Sequence, residues 1–359
     1  MEDKQFVNIS KGETPSIASV TMESPSNIAL VKYWGKKEIQ IPTNPSISFT
    51  LKNCKTTTTL VLKKGEKKLN DVLVDKRPEK SFTPKIEKYL SLISEYCPFL
   101  ENYELSISTA NTFPHSSGIA SSASGFSALS MCIVQFEQRI CNYSDNYKFQ
   151  KASFLSRIGS GSASRSIYGP MAIWGENKIS NNCSDIYATA HEKINDVFKD
   201  YQDTVLLIDK GQKQVSSTVG HKLMINHPYA EERFNQAKQN LSSIVEILES
   251  GDLKKFVHMV EHEALSLHAM MMTSSPYFIL MKPGTIEVIH KIWEYRNATN
   301  SSVCFTLDAG ANVHLLYPKT ETERILAFVE EQLIGYCENQ QYICDEIGTG
   351  PKLIKESYD

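Results

Sequence analysis

Apolar and polar residues alternate through residues 16–35 (SIASVTMESPSNIALVKYWG). This predicts two strands about a turn at Ser24-Pro25-Ser26-Asn27, the second carrying Lys32 among bulky apolar neighbours. A third strand is predicted in SFTLKNCKTTTTLVL, after the proline- and hydroxyl-bearing segment IPTNPSISFT. Residues 64–87 are Lys-rich and poor in apolar groups, which suits a hairpin tip or flap. Helical spacing then runs from Ile86 through Leu90 to Ile93, introduced by Pro84. The strand YELSIST leads into a run of small residues, and FSALSMCIVQF opens a helix that ends near Cys141, with another starting near Tyr147. After Trp174 the chain turns polar (GENKISNNCSD), a boundary that extends to about residue 195. Beyond it come the strand TVLLID, two amphipathic helices about Gly251, the helix TIEVIHKIWEYRNA, the strand SVCFTL, the apolar VHLLYP and a strand-like QYICDEI, closed by GTGP. There are no internal repeats.

With 359 residues, 41% of them hydrophobic, the chain has material for two domains. A formal net charge of −3 gives no reason to expect a nucleic-acid or membrane partner. No apolar run reaches the length of a membrane span, and MEDKQFVNISKGE is too polar for a signal peptide, so a cytoplasmic location is expected. Eight cysteines without a CxxC pair or metal-ligand spacing read as reduced, mostly buried, structural thiols.

Three stretches carry candidate chemistry. The first is residues 111–125, NTFPHSSGIASSASG, which has almost nothing to bury and no Lys or Glu to mark a solvated tail. Gly118 and Gly125 bracket Ser121, Ser122 and Ser124, a pattern that presents backbone N–H groups and hydroxyls to an anion at a helix start. It is equally the pattern of a Ser/Gly turn capping an ordinary helix, and no Lys follows the second Gly as the GxxxxGK[ST] loop requires. The second is Gly159–Ser166 (GSGSASRS), where Arg165 stands among small residues that leave room for a carboxylate or phosphate; the alternative is an Arg that ties down a loop. The third is Asp308-Ala309-Gly310-Ala311-Asn312, an aspartate at a strand end that suits either a catalytic carboxylate or a turn. Lys32 either snorkels from a sheet edge or projects with Lys36 toward an anion. Asn44, Ser46 and Ser48 suit ligand contacts or turn chemistry, Lys76 and Arg77 are anion-contact candidates in the flap, His221 and His227 read as surface histidines, and Met270–Met272 as core filler.

Taken in order, IALVKYWGK, PHSSGIASSASG, GSGSASRS and DAGAN resemble the GHMP small-molecule kinase superfamily, whose phosphate loop has the form PxxxGxxSSA. Within it, NIALVKYWGK, IPTNPSIS with TTTT downstream, SGSASRS, FTLDAGANVH and GTGP are similar to the diphosphomevalonate decarboxylases. The likeness spans residues 20–175, 203–220 and 303–351; His115 with the two serines after it, and Pro170, depart from it.

The resemblance implies an α+β, two-domain GHMP kinase fold. A ribosomal protein S5 domain 2-like N-terminal domain would occupy residues 1–195 and a ferredoxin-like C-terminal α/β sandwich residues 196–359. It implies ATP-dependent decarboxylation of mevalonate 5-diphosphate to isopentenyl diphosphate, with ATP and Mg2+ as cofactors and a homodimer as assembly. By the same resemblance Asp308 meets the 3-hydroxyl, Lys32 the reacting oxygen and phosphoryl group, and Arg165 the substrate carboxylate, assisted by Ser160 and Ser162. Tyr33 and Lys36 meet the diphosphate. Asn111, Pro114, Ser116, Ser117, Gly118, Ala120, Ser121, Ser122 and Ser124 cradle the ATP phosphates, with Ser122 at the metal. Three rivals stay open: a decarboxylase or 3-kinase acting on mevalonate or its monophosphate, a GHMP kinase for another alcohol, and a nucleotide-binding relative without catalysis.

Overall fold

The structure is a computed structural model that describes residues 2–8, 12–114, 119–179, 183–211, 215 and 217–359. Ser116, Ser117 and Gly118, expected at the ATP phosphates, lie with His115 outside the described residues.

Two long strands organise the chain. β1 (Ile17–Val31) and β2 (Ser46–Lys64) pair antiparallel at the centre of an eight-stranded sheet. Beside β2 lies β5 (Tyr103–Asn111), then β3 (Lys68–Val74) parallel to β5, and β4 (Arg77–Pro78). β6 (Met171–Trp174) pairs with β2 and with β7 (Ala188–Ala190). Helices α1 (Thr83–Leu92), α2 (Ser121–Cys141) and α3 (Asp145–Gly159) cover one half of this sheet. The second sheet is antiparallel, in the order β11 (Tyr342–Glu346), β8 (Gln202–Leu206), β10 (Val313–Tyr317), β9 (Cys304–Thr306). With it go α4 (Ser217–Lys222), α5 (Ala230–Ser250), α6 (Leu253–Met272), α7 (Pro283–Thr299) and α8 (Thr322–Phe328). The last strand, β12 (Lys352–Tyr358), returns to the first sheet and pairs with β1.

Burial along β1 records this layering. Its first half alternates, and from Ser24 to Val31 every residue is buried. Ala18, Val20 and Met22 pack with α2 and α3, whereas Ile28, Leu30 and Val31 belong to a second core shared with β8, α5 and α6. A strand covered on both faces loses its alternation.

The turn expected at 24–27 does not form. β1 runs straight through, and its partner on β2 jumps from Lys55, opposite Pro25, to Thr50, opposite Asn27. Pro25 has no N–H for the ladder, and the skipped β2 segment finds another acceptor. Asp345 of β11 takes the N–H groups of Lys52, Asn53 and Cys54 at 2.9, 2.8 and 2.7 Å, pinning the second sheet to the first. In the Lys-rich segment after β2, β3 crosses over to lie parallel to β5, and the expected hairpin tip is the turn at Asp75-Lys76 that joins β3 to the antiparallel β4. Arg77, on the exposed β4, stands away from the cavity described below.

Candidate active site

Where the two cores meet, a cavity of about 380 Å³ opens between the end of β1, the start of α2, the segment after α3 and the turn after β9. β1 delivers Lys32 into it one residue past its last ladder position. That side chain is 2% exposed, and its Nζ lies 3.0 Å from Oδ1 of Asp308. Asp308 follows β9 by two residues and sits in a turn closed by Gly310 N–H donating to its carbonyl at 2.7 Å. An ion pair between residues 276 positions apart thus spans the two sheets.

Arg165 reaches the cavity from a short 3-10 helix, Gly161–Ile167. Its Nε donates to Ser48 Oγ at 3.0 Å and its Nη1 to Ser46 Oγ at 2.6 Å, while the guanidinium lies 5.8 Å from the Trp174 ring centroid. The room expected on every side therefore exists on the cavity side only. Ser46 and Ser48 serve the guanidinium, and Asn44 serves the backbone by donating to the Lys32 carbonyl. Burial lowers the Arg165 pKa to about 10, against the opposing pull of Asp308, so the group stays charged near neutrality.

The small-residue run is helical earlier than expected. α2 begins at Ser121, not after Gly125, and is preceded by Ala120 in a left-handed conformation (φ 46°). The donors here are thus first-turn N–H groups of a 21-residue helix, that of Ala123 already closing on the Ala120 carbonyl at 2.7 Å, rather than an open nest. Ala120, Ser121 and Ser122 line the cavity, and Ser122 Oγ is 3.3 Å from Ser160 Oγ. Ser124 turns inward to Thr56 Oγ1 at 2.6 Å, Asn111 accepts from Thr56, and Pro114 is exposed; none of these three lines the cavity.

Tyr33, Lys36, Ser160 and Ser162 do line it. The Tyr33 hydroxyl is buried without a hydrogen-bond partner among the described residues, and burial pushes its pKa up. Burial, then the neighbouring Lys222 and Lys88, lowers the Lys36 pKa. Sequence reasoning passed over several other residues. Lys85, on α1, stands at the rim with Nζ 5.2 Å from the Phe126 ring centroid. Asn27 lines the wall and donates to the Ser162 carbonyl at 3.0 Å, leaving a buried Oδ1 without a partner among the described residues. His221, expected at the surface, is buried; its Nδ1 accepts from Gly35 N–H at 2.9 Å, and burial lowers its pKa to about 3. His227 is buried too. Lys85 gave no sequence signal beyond its place on a helix face, and the signal for Asn27 was its position one residue before the strand IALV.

The described lining thus carries four cations, Lys32, Lys36, Lys85 and Arg165, against one carboxylate, Asp308. A net charge of +3 in a half-enclosed cavity attracts a polyanion. Among the described residues no three His, Cys, Asp or Glu side chains gather as a metal cage. One carboxylate with hydroxyls beside it is a donor set suited to Mg2+ that arrives on phosphates. No helix among the described residues is long and apolar enough to cross a membrane.

The long-stranded first sheet with its small-residue helix start, joined to a four-stranded antiparallel sandwich, defines a two-domain protein of the GHMP kinase fold. Two family models, for the diphosphomevalonate decarboxylase-like N-terminal domain and the mevalonate 5-diphosphate decarboxylase C-terminal domain, match residues 24–188 and 204–356. The chain belongs to the diphosphomevalonate decarboxylase family. It is 28% identical to diphosphomevalonate decarboxylase of Saccharomyces cerevisiae, over 87% of this chain and 80% of that protein. Among solved structures it is similar to mevalonate diphosphate decarboxylase from Staphylococcus aureus (29% identity, TM-score 0.81, 94% of this chain and 98% of that one). It is also similar to the enzyme from Enterococcus faecalis (25% identity, TM-score 0.80, 94% and 99%) and to MDDEF in complex with MVAPP, AMPPCP and magnesium (26% identity, TM-score 0.81, 94% and 99%).

Proposed function

We propose that this chain decarboxylates mevalonate 5-diphosphate at the expense of ATP, giving isopentenyl diphosphate, ADP, phosphate and CO2. The observation that carries this reading is the meeting, in one cationic cavity, of the Lys32–Asp308 pair, Arg165 and the first turn of α2. That MDDEF binds MVAPP, AMPPCP and magnesium supports the same ligand set here.

A tertiary alcohol is a poor nucleophile, so transfer of the γ-phosphoryl group relies on positioning and charge neutralisation. Asp308 accepts the hydrogen bond of the 3-hydroxyl as base or orienting group, and Lys32, held against it, faces the incoming phosphoryl oxygens. The first-turn N–H groups of α2 with Ser121 and Ser122, and Lys85 at the rim, hold the ATP phosphates. Mg2+ would sit on those phosphates within reach of the Ser122 hydroxyl and neutralise charge there. Lys36 and Tyr33 take the diphosphate, the buried Tyr33 hydroxyl supplying a donor that lacks a partner among the described residues.

Arg165 takes the substrate carboxylate, with Ser160 and Ser162 alongside. In the second stage the bond from carbon 3 to the phosphate oxygen breaks and its electrons leave with phosphate. The electrons of the bond to the carboxyl carbon form the new double bond, and CO2 departs. Among the described lining residues the one carboxyl is Asp308, assigned above to the 3-hydroxyl, so no second acid is at hand to protonate the substrate carboxylate, which favours its loss as CO2.

ADP release is measured with mevalonate 5-diphosphate, mevalonate 5-phosphate and mevalonate. Charge-assisted contacts of Lys36 and Tyr33 to the terminal phosphate contribute about 1.5–3 kcal/mol, or roughly 10–100-fold in kcat/KM, in favour of the diphosphate. Equal kcat/KM for the diphosphate and monophosphate would remove these two residues from substrate recognition.

A further inference from the structure

We infer that α6 acts as a spacing bar for the Lys32–Asp308 pair, with Glu263 and His268 as positioning residues that fix the backbones of its two members. This rests on the assignment of that pair to the reacting centre made above. Glu263 is fully buried, and its Oε2 accepts the backbone N–H of Lys32 at 2.9 Å. His268 is 1% exposed, and its Nε2 lies 3.1 Å from the backbone carbonyl of Asp308. A carbonyl only accepts, so Nε2 carries the proton and donates. Burial lowers the His268 pKa to about 4, which keeps the ring neutral in this tautomer.

Five residues of α-helix separate the two side chains by about 7.5 Å along the axis and about 140° around it. One therefore reaches the end of β1 while the other reaches the turn after β9. The bar is itself anchored. Arg233 of α5 donates to Glu263 from Nη2 at 2.6 Å and Nη1 at 3.0 Å, and Asn240 donates to Oε1 at 2.5 Å, so the buried carboxylate is fully satisfied. On the opposite side of the Lys32 peptide, Asn44 holds its carbonyl at 3.0 Å.

The pair needs such support. Lysine has a long flexible stem, and the two residues come from separate sheets, so Nζ and Oδ1 hold 3.0 Å only if the backbones keep their distance. Within the turn, Gly310 N–H also closes on the Asp308 carbonyl, at 2.7 Å, but it belongs to the same loop and moves with it. His268 ties that loop to a long helix. Misplacement by about 1 Å at a reacting centre lowers rate by roughly 100-fold.

The test compares His268→Leu, which removes the donor, with His268→Gln, whose side-chain amide reaches close to the Nε2 position. With mevalonate 5-diphosphate and ATP, His268→Leu is expected to lower kcat by roughly 10–100-fold, leave both KM values within about twofold, and be largely rescued by Gln. If the Leu variant does not fold, His268→Asn, whose amide stops short of the carbonyl, replaces it in the same comparison. A kcat within about twofold of wild type, or a Gln variant no better than Leu, would overturn the inference. Should the wild-type chain consume no ATP with any mevalonate ester, the functional reading falls instead. The spacing is then read from crystal structures of wild type and variant: a Lys32–Asp308 separation opened beyond hydrogen-bond range supports the bar, and a pair still at 3.0 Å rules it out.

Discussion

Arg165 is a buried cation whose protein partners are two serine hydroxyls and an indole face, with no carboxylate in ion-pair contact among the described residues. Such a group weakens the ligand-free protein, because desolvation of its charge is not repaid within the chain. Burial lowers its pKa from 12.5 to about 10, a cost to the charged form of about 3 kcal/mol. Arg165→Met removes that cost but strips a donor from Ser46 and Ser48, at about 1 kcal/mol each. The ligand-free variant is therefore expected to be more stable than wild type by about 1 kcal/mol, as measured by urea unfolding. Turnover is expected to move the other way: loss of the proposed pairing with the substrate carboxylate would cost about 3 kcal/mol, or roughly 100-fold in kcat/KM. A variant that is both less stable and unimpaired in kcat/KM would refute the view that this guanidinium is held in reserve for an anion.

Asp308→Asn is expected to lose roughly two to four decades of kcat with near-normal folding by circular dichroism, and retention of a third or more of wild-type turnover would exclude Asp308 from the mechanism. His221 and His268 have pKa values depressed by burial to about 3 and about 4. The unfolded chain, with histidines near 6.5, then binds more protons, so stability falls as pH drops below that value and levels off below the folded pKa values; from pH 7 to pH 5 each histidine costs about 2 kcal/mol. Urea midpoints across that range check this, and a flat profile contradicts it. A Cβ added at Gly161 would stand 2.8 Å from the Trp174 ring and from Tyr33 Oη. Gly161→Ala is therefore expected to destabilise the chain by about 1–3 kcal/mol and to raise KM for the diphosphate substrate, as thermal unfolding and initial rates would reveal.

The fold class and the cavity's main actors were legible because each lay in a local pattern: Asp308 at the end of an apolar strand, Arg165 in a small-residue run, Lys32 in a strand. What escaped depended on distant partners. The turn expected at 24–27 is straight strand, since the missing Pro25 donor is absorbed by an irregularity in β2 that Asp345, some 290 residues away, completes. The helix expected to start after Gly125 starts at Ser121, because its first turn is packed inward through the fully buried Ala123 and Ser124, the latter bonded to Thr56, contacts that small residues give no periodicity to announce. His221 looked like a surface residue, and its burial follows from packing between Tyr33 and Trp34, which no periodicity records. Glu263 and His268 are hidden for the same reason: on an amphipathic helix their spacing is unremarkable until the ends of β1 and β9 are seen to flank it.

The central claim is that the cavity couples phosphoryl transfer to loss of the substrate carboxyl. It is tested most directly by measuring ADP and CO2 together from carboxyl-labelled mevalonate 5-diphosphate. One CO2 for each ADP throughout the time course is the expected result; ADP accumulating without CO2 would make the chain a kinase that stores a phosphorylated product, and the elimination assigned to Arg165 would be wrong.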